Sequence, residues 1–123
     1  MATLKQIKAR LRELGLENEY GYRAETKLIP KSLEADEELL QMTSGIREGR
    51  RWYLVLTPRR LLLLTKPTLG TPGLVAIERE KIKGVTDRRK LFFASLTIET
   101  EEGEYVFSNV LKKSLPSFLR ELH

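Results

Sequence analysis

The sequence predicts a mainly β fold, a seven-stranded antiparallel barrel or sandwich capped by a C-terminal α-helix. Three observations predict it. Residues 51–66, RWYLVLTPRRLLLLTK, read as two strands joined by a turn at Thr57-Pro58-Arg59-Arg60. Trp52, Leu54 and Leu56 alternate with Tyr53, Val55 and Thr57, and Leu61 and Leu63 with Leu62 and Leu64, which is the period of a strand. Further runs of strand character recur about every ten residues, the rhythm of an antiparallel sandwich or barrel. Beyond them the period changes, and Leu111, Leu115, Phe118, Leu119 and Leu122 fall on one helical face.

Length and composition bound the possibilities. A chain of 123 residues suits a single domain, which by size scaling buries roughly two thirds of the surface its unfolded form exposes. Cysteine is absent, which excludes thiol catalysis, thiolate metal sites and a disulfide framework and fits a reducing compartment. The apolar run at residues 61–64 falls far short of the roughly 20 residues that span a bilayer, and the N-terminus lacks the apolar core of a signal peptide. A soluble cytoplasmic protein is expected, with peripheral attachment at the inner membrane face as the alternative. The net charge of +5 permits contact with nucleic acid or anionic lipid and demands neither.

Taken in order, residues 3–14 carry Leu4, Ile7, Leu11 and Leu14 on one stripe of an amphipathic helix. Thr3 and Gln6 stand at capping-box spacing, and Gly15 supplies a left-handed stop. The stripe is expected to pack on this domain or on a second copy of it. A short helix is expected near residues 22–28, with Pro30 opening one further turn. Residues 36–38 are an acidic entry to a strand over 38–46, whose uneven apolar spacing predicts a bulge. Arg47-Glu48-Gly49-Arg50 is a short loop with glycine available for positive φ. Residues 67–73, rich in Pro and Gly, read as a mobile connection. Strands follow over 73–78 and 82–87, then a basic turn at Arg88-Arg89-Lys90. The next strand, 91–99, carries Phe92, Ala94, Leu96 and Ile98 on one side, and 105–107 closes the series. Pro116 requires the last helix to start between Lys112 and Leu115, with Ser114 as its cap.

The wording of some segments adds a resemblance. Residues 53–64, YLVLTPRRLLLL, resemble the Thr-x-x-Arg-Leu hairpin of bacterial pleckstrin-homology (PH) domains. Residues 76–85, AIEREKIKGV, and the entry at 33–38 are similar to the YokE-like group of that family. The resemblance covers about residues 33–122, so the chain divides into an N-terminal helical extension, 1–32, packing on the domain or on a partner, and a PH-like domain, 33–123. It implies two nearly orthogonal sheets plugged by the last helix, and a small bacterial binding or assembly module without a shared ligand. Thr57 and Arg60 are implied to shape a turn, and Ile77, Ile82 and Val85 to fill a core.

Chemistry is sparse in these residues. The sole histidine, His123, is terminal, so a Ser/His/Asp device has no base, and no catalytic residue is assigned. Asp36, Glu37 and Glu38 alternate in direction along a strand and do not form one metal cage; a solvated strand entry is the reading. No metal or cofactor is expected. Nucleic acid is not expected as a partner, because the basic turns show no interleaved aromatic platform.

Two surfaces remain. Four consecutive leucines make both faces of one strand apolar, and Phe92 and Phe93 point to opposite sides of another. A second layer is therefore expected, supplied by the N-terminal helices folding back or by another subunit, and Leu4, Ile7, Leu11, Leu14, Leu62, Leu64, Phe92 and Phe93 are the candidate interface for a protein partner, most simply in a homo-oligomer. The rival is weak anionic-lipid contact through Arg47, Arg50, Arg51, Arg88, Arg89 and Lys90. Glu48 among the arginines opposes a specific inositol-phosphate site.

Overall fold

The computed structural model describes residues 2–66 and 72–122. His123 and most of the 67–73 connection lie outside the described residues. Helix α1 spans Leu4–Glu13. The Thr3 hydroxyl accepts from the Gln6 backbone and the Gln6 side chain accepts from the Thr3 backbone, the expected capping box. Gly15, at φ 75°, turns the chain into α2 (Glu17–Tyr20), a 3-10 turn at Ala24–Leu28 and α3 (Ile29–Ser32), with Pro30 in the first turn of α3. The helix expected at 22–28 is thus a 3-10 turn, and the short α2 precedes it.

Seven antiparallel strands follow: β1 (Gln41–Arg47), β2 (Arg50–Leu56), β3 (Arg60–Thr65), β4 (Gly73–Glu78), β5 (Ile82–Arg89), β6 (Phe93–Thr100) and β7 (Gly103–Leu111). Their order across the sheet is β4-β3-β2-β1-β7-β6-β5. Among the described residues no ladder joins β4 to β5. The sheet curls so that Ile77 of β4 and Ile82 and Val85 of β5 meet in one core, and side chains, with helix α4 (Leu115–Leu122), complete the enclosure. Pro116 sits in the first turn of α4 as expected. Leu111, read as helical, is the last residue of β7. The β1–β2 pairing is regular, so no bulge lies there; register shifts occur at Ile82/Gly84 and Ala94/Leu96.

The hairpins form for local reasons. Glu48 and Gly49, at φ 54° and 75°, make the two-residue turn whose twist matches the flanking strands. At the β2–β3 turn the Thr57 hydroxyl oxygen accepts from the Arg60 backbone at 2.9 Å and from that of Arg59 at 3.2 Å. Gly45 lies where β1 crosses β7, and a Cβ there would stand 2.8 Å from the Phe107 Cβ.

The leucine run explains the whole arrangement. Leu61 and Leu63 point into the inner core with Leu54, Leu56, Leu96, Ile98, Phe107 and Phe118. Leu62 and Leu64 point outward with Tyr53 and Val55, and all four are buried under Ile7, Leu11, Leu16, Tyr20, Ile29 and Leu39. Fully burying one such side chain contributes about 1.5–3 kcal/mol, so four left bare would consume a large part of the roughly 5–15 kcal/mol that stabilises a domain. The chain covers that face itself. A buried hydroxyl chain joins the layers: Tyr20 bonds Ser44 and Ser114, each at 3.2 Å, and Thr43 bonds Ser114 at 2.8 Å. The Ser114 hydroxyl is therefore spent on this chain and on the Leu111 carbonyl rather than on capping α4, where the Ser114 carbonyl accepts from the Phe118 N–H.

Candidate functional site

Half of the expected apolar interface is taken up inside the molecule. Ile7, Leu11, Leu62 and Leu64 are buried in the outer core, which corrects their assignment to a surface: the second layer they require is the chain's own N-terminal segment. Leu14 is half-buried at the rim of that layer, and Leu4 is half-buried on the side of α1 that carries Lys5, Lys8 and Arg12. Phe92 and Phe93 remain outside, 77% and 43% exposed. They do not occupy opposite faces of one strand, because β6 begins only at Phe93 and Phe92 lies in the preceding turn.

The basic residues separate into two places. Ile46 of β1 faces Ser108 of β7, whereas Phe93 of β6 faces Leu111. The β1–β2 turn with Arg47, Arg50 and Arg51 therefore lies beside the Tyr105 end of β7, about 17 Å along the strand from the β5–β6 turn at 3.3 Å per residue. The six cations do not form one patch. Arg47 is also engaged: its guanidinium lies 4.9 Å from the centre of the Tyr105 ring and 3.4 Å from Glu48.

At the other end the geometry is more distinctive. Arg88 and Arg89, expected in a turn, pair with Ser95 and Ala94 inside the β5–β6 ladder. The turn itself consists of Lys90, Leu91 and Phe92, closed by the Lys90 N–H donating to the Phe93 carbonyl at 2.9 Å. The Lys112 ammonium donates to the carbonyls of Lys90 at 2.7 Å and Leu91 at 3.2 Å. These bonds hold a tip on which Leu91 is 80% exposed. Three consecutive apolar side chains thus stand in solvent beside Arg88, Arg89, Lys90 and Lys112. Arg89 shares its charge with Asp87 at 3.2 Å, and neighbouring Lys113 with Glu19 at 2.7 Å. Leu91 and Lys112 were outside the sequence-derived set. The signal for Leu91 was present in the run RRKLFF, while Lys112 is reached only through the fold.

In the acidic entry Asp36 and Glu38 are exposed, as expected of a solvated run, but Glu37 is not. Glu37 is fully buried, and its carboxylate takes the Thr57 hydroxyl at 2.7 Å and the Arg60 Nε–H at 2.8 Å, while Arg60 also reaches the Ser32 carbonyl at 3.1 Å. The Arg60 guanidinium holds the Glu37 carboxyl down at about 2, against the opposing effect of burial. Asp36 and Glu34 pair with Arg59 at the surface, at 2.8 and 3.1 Å. Arg60 shapes the turn through its backbone, as implied, and its guanidinium also fastens the incoming chain to it. Glu34, Asp36 and Glu37 are committed to arginines, and the cluster is structural.

Comparison with known proteins agrees with this architecture. The family model described as "Bacterial PH domain" matches residues 33–123. No curated protein matches the chain. Among solved structures, the C-terminal domain of an unknown protein from Leishmania infantum is similar at a TM-score of 0.57 and 20% identity, covering 78% of this chain and 89% of that one. A pleckstrin homology domain from Shewanella amazonensis SB2B is similar at a TM-score of 0.55 and 18% identity, covering 76% and 86%. A DUF1696 family protein with a pleckstrin-homology domain from Shewanella loihica PV-4 is similar at 0.53 and 15%, covering 98% and 93%. At such identities these structures speak for the fold alone. With the family match over residues 33–123, the seven-stranded curled sheet and its terminal helix, the chain belongs to the bacterial PH-domain family.

Proposed function

We propose that this protein is a non-enzymatic binding module that docks on an anionic membrane surface through the tip at residues 88–93. The observation that carries this reading is the exposure of Leu91, Phe92 and Phe93 beside Arg88, Arg89, Lys90 and Lys112. Apolar side chains on such a turn gain by leaving water for the acyl boundary, and the cations beside them meet lipid phosphates at the same depth. Neither element suffices alone. Self-association loses its main support, since Ile7, Leu11, Leu62 and Leu64 are consumed within the chain. No helix among the described residues is long and apolar enough to cross a membrane, so attachment on this reading is peripheral.

Co-sedimentation with vesicles provides the test. Recovery is expected with mixed phosphatidylcholine and phosphatidylserine, weakening as salt is raised, because exposed charges are screened beyond about 8 Å at physiological ionic strength. Equal recovery with pure phosphatidylcholine contradicts the reading, as does failure to bind either vesicle. A dimer by light scattering that Phe92→Ser dissolves, with no vesicle binding, would instead assign the tip to a protein contact.

A further inference from the structure

Behind the tip, on the outer face of β6 and β7, lies an open and mostly apolar cleft of about 280 Å³, walled by Phe92 and Phe93 and bordered by Lys90, Ser95, Ser108 and Asn109. This is near the lower end of the volumes that hold small molecules. Its origin is a bulge. Ala94 faces Val110 and Leu96 faces Phe107, so Ser95 alone spans what Ser108 and Asn109 span on β7, and Asn109 takes up the extra residue at φ 52°. Bulges bend a strand and re-aim its side chains. The cleft therefore combines an apolar wall, two hydroxyls and an amide along one border, and a cation at its mouth. Lys112 stands outside the lining of the cleft, against the turn that borders it: two of its three N–H groups are given to the Lys90 and Leu91 carbonyls, which leaves one for an anion.

We propose that this cleft takes one anionic amphiphile, its acyl end against Phe92 and Phe93 and its charged head between Lys90 and Lys112. Ser95 and Asn109 then serve the ester and glycerol oxygens that lie between, the Ser108 O–H being given to the Ile46 carbonyl. The proposal rests on the membrane reading above and adds to it a defined lipid seat, so that docking involves one lipid held in the cleft as well as the tip's general insertion. A net negative charge on the head is required, because a zwitterionic choline head brings a cation of its own against Lys90 and Lys112.

Residue-resolved NMR of the full chain, titrated with dihexanoylphosphatidylserine below its micelle concentration, tests this directly. Saturable shifts are expected at residues 90–95 and 108–109, with affinity about tenfold lower for dihexanoylphosphatidylcholine. Ser95→Leu, which fills the cleft, is expected to abolish those shifts while leaving co-sedimentation with phosphatidylserine vesicles in place. Vesicle binding by the wild-type chain without saturable shifts overturns the seat and leaves the membrane reading standing. Equal affinity for the choline lipid overturns it as well. Saturable binding of the soluble lipid without vesicle binding supports the seat and removes the membrane reading. The wild-type titrations decide the matter even if the variant does not fold.

Discussion

Replacing Arg60 by alanine is expected to lower the unfolding free energy by about 3–5 kcal/mol, since a buried ion pair that loses one partner leaves an uncompensated charge. The abandoned group is Glu37, whose side chain has no solvent exposure. Glu37→Ala is expected to cost less, because the Arg60 side chain is 16% exposed and retains the Ser32 carbonyl. Replacing both by apolar residues of similar size is expected to be close to neutral, the usual outcome when a buried pair is exchanged as a unit. The same pair sets a pH dependence. The carboxyl titrates at about 2 in the fold against an ordinary 4.5, so its contribution is fully present above pH 4.5 and is lost as pH falls toward 2. That displacement corresponds to about 3 kcal/mol. Urea midpoints measured down this range should fall for the wild-type chain and fall less for Glu37→Gln. A wild-type midpoint unchanged between pH 5 and about pH 2 would show that Glu37 is not held ionised by Arg60.

Changing Leu91 and Phe92 together to serine is expected to weaken binding to phosphatidylserine-containing vesicles by at least about a hundredfold, the lower end of about 1.5–3 kcal/mol for each apolar side chain removed from water. The tip is exposed and its turn is held by backbone and Lys112 bonds, so stability should change little. Reversing Arg88 and Arg89 to glutamate is expected to weaken binding by at least about tenfold, given roughly 1 kcal/mol for each basic residue near an anionic surface. Reversing Arg50 and Arg51 should matter far less. Their turn lies about 17 Å further along β7 by register, beyond the screening length in physiological salt. Vesicle binding isotherms for the three double variants compare the two ends of the sheet directly.

Much of the architecture was legible from alternation. The two strands of residues 51–66 announce themselves, and the apolar character of both faces of β3 already required a second layer. Which molecule supplies that layer was not legible, because Leu62 and Leu64 meet Ile7 and Leu11 across 50 or more intervening positions. Glu37 was misread for a related reason. A carboxylate in an acidic run is usually solvated, and its burial depends on Arg60, which only folding brings near. The tip was divided in the sequence reading because period-two alternation was extended back through Phe92. In the fold the turn takes Phe92 out of the strand, which joins the basic run to the apolar one. Register, which residue counting cannot supply, separated Arg47, Arg50 and Arg51 from the other cations.

The most direct measurement of the central claim is paramagnetic broadening of amide signals by spin-labelled lipid in phosphatidylserine-containing nanodiscs. The account predicts broadening that is strongest at residues 90–93 and spares both 47–51 and α1. Broadening centred on 47–51 or on the exposed side of α1, or none at all, would contradict it.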